Sequence, residues 1–156
     1  MQHKQTQQGF FLVEVIVASS VIAVVLVLLL GSIQHTVEAS QRSLERTQTA
    51  YLLEEGAEVV KLIRSEAWSS ISGLTAGTTY YFLWTGSVWT LTTTPQTING
   101  FTRTVVMTSV NRDGNNDIVT SGGTIDNGTK KVTITVSWIA PSGVQTENMS
   151  LYITNI

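Results

Sequence analysis

The chain has 156 residues, enough for one domain with an appendage, and 42% of them are hydrophobic. Its net charge is −2, and this mildly acidic balance provides no basic surface for nucleic acid. There is no cysteine, which excludes disulfides, thiolate nucleophiles and cysteine-bound metals.

A long apolar run lies near the N-terminus. Residues 10–30 form a stretch of 21 residues, of which 18 are apolar, and neither proline nor glycine interrupts it. At about 1.5 Å per residue, a helix of this length spans roughly 30 Å, the thickness of a bilayer core. The run therefore predicts a transmembrane helix.

Glu14 is the one charged residue in this run. A carboxylate at that depth costs about 2.5–3.5 kcal/mol on insertion scales, and no Lys or Arg between residues 5 and 41 offers a partner. A secretory signal would be shorter and end at a small-x-small site, whereas Leu29 stands where a small residue is needed. A plain single-pass anchor is the other alternative. Since neither explains Glu14, we expect its partner to come from another chain or from a new terminus.

The segment Gly9-Phe10-Phe11-Leu12-Val13-Glu14 resembles the cleavage and methylation motif of type IV prepilins and type II secretion pseudopilins. In that motif a Gly precedes the cut, Phe follows it, and Glu is the fifth residue after the cut. Residues 1–8 are polar and carry one full positive charge, at Lys4, which resembles the leader of that family and fits the positive-inside tendency.

The resemblance implies how the chain is processed and assembled. Prepilin peptidase would cut between Gly9 and Phe10 on the cytoplasmic side and N-methylate Phe10. The new ammonium group of one subunit would then pair with Glu14 of its neighbour, which fixes register in apolar surroundings. The implied location is the bacterial inner (cytoplasmic) membrane for the single-pass precursor, and then a cell-surface or periplasmic filament. The implied partners are the peptidase, other pilin subunits, membrane lipid and the inner-membrane pilus assembly machinery.

Helical character continues beyond the apolar run. No proline occurs from Ser32 to Trp68, and apolar residues recur in steps of 3, 4 and 7. The resulting stripe comprises Ile33, Val37, Leu44, Tyr51, Leu52, Val59, Val60, Leu62 and Ile63. A helix from Phe10 to about Glu66 would be roughly 85 Å long. Gly56 predicts a bend or a close packing contact. A coiled-coil stalk is less favoured because strict heptads are not sustained.

The remainder of the chain has the period of β-strands. The runs that predict strands are 79–84 and 87–92 as a hairpin, then 100–110, 130–138 and about 145–153. Asp126-Asn127-Gly128 predicts a turn. Four to six antiparallel strands would pack on the helix stripe, which is an α+β fold. In the pilin-like fold that the resemblance implies, the leader is 1–9, the transmembrane and assembly half of the helix 10–31, the amphipathic half 32–68, and the β-rich head 69–156.

Two groups in the head are candidate binding sites. Oxygen-bearing side chains alternate around Gly114 in a pattern loosely like a calcium loop, although the same composition is typical of a turn. They belong to Asn111, Asp113, Asn115 and Asp117. The tryptophans at 84, 89 and 138 suggest either a carbohydrate or ligand platform or, as favoured here, core and sheet-face residues.

No catalytic constellation is evident. The histidines, His3 and His35, lie in the leader and at the membrane boundary, and nothing resembles a phosphate loop or a metal-ligand cluster. We therefore expect no enzyme activity and no required cofactor. The leading hypothesis is a structural minor pilin, since the stretch 53–64 followed by Trp68 also resembles minor pilins of the type IV pilus modification group. The alternatives are a type II secretion pseudopilin and a membrane-tethered binding module that does not polymerise.

Overall fold

The structure, a computed structural model, describes the backbone of residues 5–155 and the side chains of residues 11–155. The elements are α1 (Gln5–Glu66), α2 (Ser69–Ser72), β1 (Thr79–Trp84), β2 (Trp89–Thr92), β3 (Thr97–Ile98), β4 (Phe101–Arg112), β5 (Ile118–Val119), β6 (Thr124–Ala140) and β7 (Gly143–Thr154). Helix α1 runs without interruption through the apolar run and the predicted amphipathic stretch, because no proline removes a backbone donor there.

The strands form one antiparallel sheet in the order β2-β1-β4-β6-β7, with β3 and β5 also paired to β4. The last turns of α1 pack on this sheet, which confirms the α+β fold. The sheet has seven strands rather than four to six. The additional strands, β3 and β5, have two residues each, too few to show an alternating pattern in the sequence.

Strand β6 differs most from its predicted limits. It begins at Thr124 rather than Lys130 because the strand continues through an irregularity. Ser109 of β4 pairs with Lys130, whereas the next residue, Val110, pairs with Asp126. The predicted turn at 126–128 is therefore wrong: these residues lie inside β6, at a bulge. Asn and Gly favour turns and bulges alike, so local composition does not separate the two.

The core lies between the sheet and one face of α1. The helix contributes Leu53, Ala57, Val59, Val60 and Ile63, and the central strands contribute Val105, Met107, Val132, Ile134 and Val136. The predicted stripe is wrong in part, because Tyr51 and Leu62 are 67% and 45% exposed. The small residues Gly56 and Ala57 face the sheet instead, and a stripe defined by large apolar residues does not include them.

The chain divides into two compact units with the boundary between Arg46 and Thr47. In the first unit the described residues form helix alone. The second unit begins at residue 47 and is called the head from here on, in place of the predicted range 69–156. It contains the end of α1 together with the sheet, so residues 47–66 belong with the strands that they cover. The predicted limits at residues 9 and 31 concern processing and membrane insertion, and the limit at residue 68 separates the amphipathic half of the helix from the β-rich part; all three stay predictions.

Candidate functional site

The N-terminal part of α1 has an apolar surface that no other described residue covers. From Phe11 to Leu30 every side chain is exposed, with values such as 71% for Phe11 and 62% for Leu30. Among the described residues, α1 is the one helix long and apolar enough to cross a membrane. Water is a poor solvent for so much contiguous apolar surface, so this segment suggests membrane anchoring.

Small polar side chains in and beside this segment bond to their own helix. The hydroxyls of Ser19 and Ser20 donate to the carbonyls of Ile16 and Val17, at 2.9 and 2.8 Å. Ser32 donates in the same way to Leu28, at 3.1 Å. These bonds keep the hydroxyls paired in an apolar environment, so the serines need no partner outside the helix.

Glu14 is different, because its carboxylate is exposed and forms no ion pair within the described part of the chain. The first Lys or Arg that follows it is Arg42, which forms an ion pair with Glu38 at 3.5 Å. Among the described residues, this carboxylate in an apolar helix thus has no cation as a partner. Surroundings that bury this helix leave the carboxylate without a counter-charge unless they supply a cation.

The predicted cleavage site lies at the edge of what the structure describes. The backbone at Gly9 and Phe10 is part of α1, but their side chains, like the leader residues 1–4, lie outside the described residues. Cleavage after Gly9 and methylation of Phe10 therefore stay predictions.

The candidate calcium loop connects β4 to β5. The Asp113 Oδ1 atom accepts hydrogen bonds from the backbone N–H groups of Asn115 and Asp117, at 2.9 and 3.0 Å. The amide nitrogen of Asn111 donates to the carbonyl of Gly122 at 2.8 Å. An Asp side chain that accepts hydrogen bonds from the backbone N–H groups that follow it is typical of an Asx turn. In the described part of the chain, no three His, Cys, Asp or Glu side chains are grouped so as to hold a metal ion.

Next to this loop, Arg112 and Asp126 form an ion pair that the sequence did not predict. The Arg112 Nε atom lies 2.7 Å from Asp126 Oδ2, and Gly128 N–H donates to Oδ1 at 2.8 Å. The Thr129 hydroxyl, the Arg112 guanidinium and the Gly128 amide together lower the pKa of Asp126 from 3.8 to about 2. The pair connects the end of β4 to the bulge in β6. Its two residues are 14 positions apart in the sequence and meet because β4 and β6 are paired in the sheet.

A second unpredicted feature is Arg103, an arginine in the core. Its side chain is 3% exposed, and Nη1 donates to Glu55 at 2.8 Å and to the Leu52 carbonyl at 3.1 Å. The guanidinium carbon lies 4.5 Å from the ring centroid of Phe82 and 5.7 Å from that of Trp89, both close enough for cation–π attraction. The sequence did contain a signal for a buried arginine. Arg103 shares the apolar face of the alternating strand β4 with Phe101 and Val105, where a charged residue is unusual.

The three tryptophans of the head have different surroundings. Trp138 is buried and its ring lies 5.8 Å from that of Phe101. Trp89 is half-buried against the core, and Trp84 is 51% exposed with its ring 5.4 Å from that of Trp89. Two of them thus belong to the core or its margin, and nothing in the described residues forms a platform of three rings.

Comparison of the chain with protein-family models, with curated proteins and with solved structures gives no match.

Proposed function

We propose that this chain is a structural minor subunit of a type IV pilus-like filament, cut after Gly9 and N-methylated at Phe10. In this proposal residues 10–31 first anchor the precursor in the bacterial inner membrane and then pack in the filament core. The role is one of assembly rather than catalysis.

The observation that carries the proposal is the isolated carboxylate of Glu14. It lies on an exposed apolar helix, has no cation within the described residues, and is the fifth residue from a Gly-Phe junction. Cleavage at that junction creates an ammonium group at Phe10, close in sequence to Glu14. When two such helices pack with a stagger, the ammonium of one meets the carboxylate of the other, and two costly charges neutralise each other.

The head supports the proposal through its construction. The last turns of α1 form one side of the core, so the strands are carried by the same helix that bears the apolar segment. Such a chain attaches a folded domain to a membrane or filament helix.

Mass spectrometry of the mature N-terminus tests this function. The chain is purified from a host that has a prepilin peptidase and from the same host without it. We expect a start at N-methyl-Phe10 in the first case and at Met1 in the second. A start at Met1 in both would overturn the filament proposal and favour an uncut, membrane-tethered binding module. A start after Gly31 would indicate an ordinary secretory signal.

A further inference from the structure

Strand β7 leaves a long edge of the sheet open. In the described part of the chain β7 pairs with β6 alone, and it is 12 residues long. It contains no Pro, Lys or Arg, and Glu147 is its only charged residue. The opposite edge strand, β2, has four residues. Natural sheets usually shorten, charge or kink an edge to prevent pairing with another strand, and β7 has little such protection.

The hydrogen bonds of β6 and β7 show which residues face this open edge. The Asn155 N–H donates to the Gly128 carbonyl of β6 at 2.8 Å. Backbone groups point to alternate sides along a strand, so the odd-numbered residues of β7 face β6 and the even-numbered ones face away. The even-numbered residues are Val144, Thr146, Asn148, Ser150, Tyr152 and Thr154, and all six are exposed.

The chemistry of these residues is symmetric about Asn148. Two positions away on either side stand hydroxyl residues, Thr146 and Ser150, and four positions away stand the apolar residues Val144 and Tyr152. We propose that this edge is a homotypic interface, at which β7 of a second copy pairs antiparallel about a two-fold axis through Asn148.

The proposed register gives every edge residue a suitable partner. Asn148 faces Asn148 of the second copy, Thr146 faces Ser150, and Val144 faces Tyr152. On the other side of the sheet Glu147 faces Met149, so the single charge of the strand does not oppose itself. Cross-strand pairs of this kind each contribute to sheet stability, and like charges directly opposite would oppose it.

The register also accounts for the most exposed apolar side chains of the head. Ile139 and Val144 are 84% and 70% exposed, more than any other large apolar residue described between 47 and 155. They are neighbours across the β6–β7 ladder, and Tyr152, at the other end of β7, is 49% exposed. Pairing places Tyr152 of the second copy beside Val144 and Ile139. One apolar cluster forms at each end of the joined edge, and both are removed from water.

The two-fold axis fixes the direction of the paired heads. An antiparallel strand pair has its axis perpendicular to the sheet, so the helical segments 47–66 of the two copies run in opposite directions.

Cysteine cross-linking of the full chain in detergent micelles tests the register, because the natural sequence contains no cysteine. Directly opposite, hydrogen-bonded residues have Cα atoms about 5.5 Å apart, within the range that a disulfide bridges. Under mild oxidation we expect Asn148→Cys to form a disulfide dimer. Thr146→Cys and Ser150→Cys should each stay largely monomeric, and a mixture of the two, with tags of different size, should form the heterodimer.

The matched control is Thr135→Cys, which lies next to Asn148 in the ladder but one strand inside the edge. We expect no dimer from it. Equal cross-linking of Thr135→Cys and Asn148→Cys would show random collision and overturn the interface. A dimer from Thr146→Cys alone, as abundant as that from the mixture, would overturn the register and with it the two-fold pairing.

Sedimentation of the cysteine-free chain provides a second measurement. Asn148→Pro removes an outward N–H without removing a bond to β6, and Asn148→Lys places two like charges on the axis. Both should abolish the dimer while circular dichroism stays unchanged, whereas Thr90→Lys on β2 should leave the dimer intact. A wild-type chain that stays monomeric would overturn the proposal. Because cross-linking reports on the head and mass spectrometry on the N-terminus, a cross-linked but uncut chain would overturn the filament function and leave this interface standing.

Discussion

Arg103 donates a 2.8 Å hydrogen bond to a carboxylate oxygen of Glu55 and so connects the centre of β4 to the helix that covers it. The two groups are unequally buried, since Arg103 is 3% exposed and Glu55 47%. The Nε and Nη2 atoms of Arg103 are also buried, and neither has a hydrogen-bond partner in the described structure. The desolvation cost of the guanidinium is therefore only partly offset by its contacts.

This asymmetry predicts which member of the pair is the more costly to replace. Glu55→Ala leaves a buried guanidinium without its counter-charge, and we expect a loss of about 1–3 kcal/mol in the free energy of unfolding. Arg103→Met keeps much of the volume beside Phe82 and removes the buried charge, so its cost should stay below about 1.5 kcal/mol. Urea denaturation of the full chain in micelles, followed by tryptophan fluorescence, measures both.

The control is Glu58→Ala, which removes an exposed ion pair. In that pair the Lys61 Nζ atom lies 2.7 Å from Glu58 Oε1. Its cost should be within about 0.5 kcal/mol, as is usual for surface pairs. If Arg103→Met proves more destabilising than Glu55→Ala, the pair itself, rather than the avoidance of an unpaired charge, stabilises the head.

Gly56 should not tolerate a larger side chain. A Cβ atom at this position would lie 3.1 Å from Ile134 Cγ2 and 3.4 Å from Arg103 Cδ. Alanine is intrinsically preferred in helices by about 1 kcal/mol, but the contact with a fully buried β6 residue opposes that gain. We expect Gly56→Ala to destabilise the head by about 1–2 kcal/mol net, read from the same urea transition. Gly31→Ala, where a Cβ would meet nothing within 4 Å, should leave that transition unchanged; a more stable Gly56→Ala variant would contradict close packing.

The Arg112–Asp126 pair predicts an acid-sensitive contribution to stability. The folded pKa of Asp126 is lowered from 3.8 to about 2, so its stabilising effect is complete above pH 3.8 and disappears as the pH falls towards 2. We expect the stability of the wild-type head to fall more steeply across this window than that of Asp126→Asn. Thr129→Val, which removes the largest cause of the shift, should show an intermediate slope. Thermal melts at stepped pH test this, and parallel curves for all three proteins would contradict it.

Replacement of Glu14 should separate membrane insertion from assembly. Glu14→Ala removes the one charge in the apolar run, which favours insertion by about 2.5–3.5 kcal/mol. In the proposed function the same change removes the partner of the Phe10 ammonium, so we expect the chain in the membrane fraction but lost from sheared filaments. Val15→Ala is the matched control and should enter filaments normally. Normal incorporation of Glu14→Ala would show that the charge pair is not required.

The sequence predicted the features that depend on one element at a time. Strand β1 was predicted with the limits that the structure shows, and the alternation of Val132, Ile134 and Val136 identified the core face of β6. The apolar run and Glu14 were likewise evident from local composition. Each of these signals is a period or a charge within a short window, so no knowledge of distant contacts was needed.

Features that depend on two distant elements were not predicted. The helix face was partly misjudged because Gly56 and Ala57 allow a close approach to the sheet, and small residues add little to an apolar stripe. The partner of Arg103 stands 48 residues earlier in the chain, and the partner of Arg112 lies across a loop. The symmetric edge of β7 required the ladder to show which residues face outward. Register and depth of burial decide all of these, and neither is local.

The hydroxyls of Ser19 and Ser20, which bond back to their own helix, have a mechanical consequence for the proposed filament. Their donors are occupied, so within residues 11–30 Glu14 is the one side chain left to offer a charge or a directional bond to a neighbouring helix of the proposed filament. Dispersion contacts between such helices change little when one helix slides along another by a small step. A filament built in this way should lengthen under tension before its subunits separate, with one charge pair per subunit setting the force at which sliding begins.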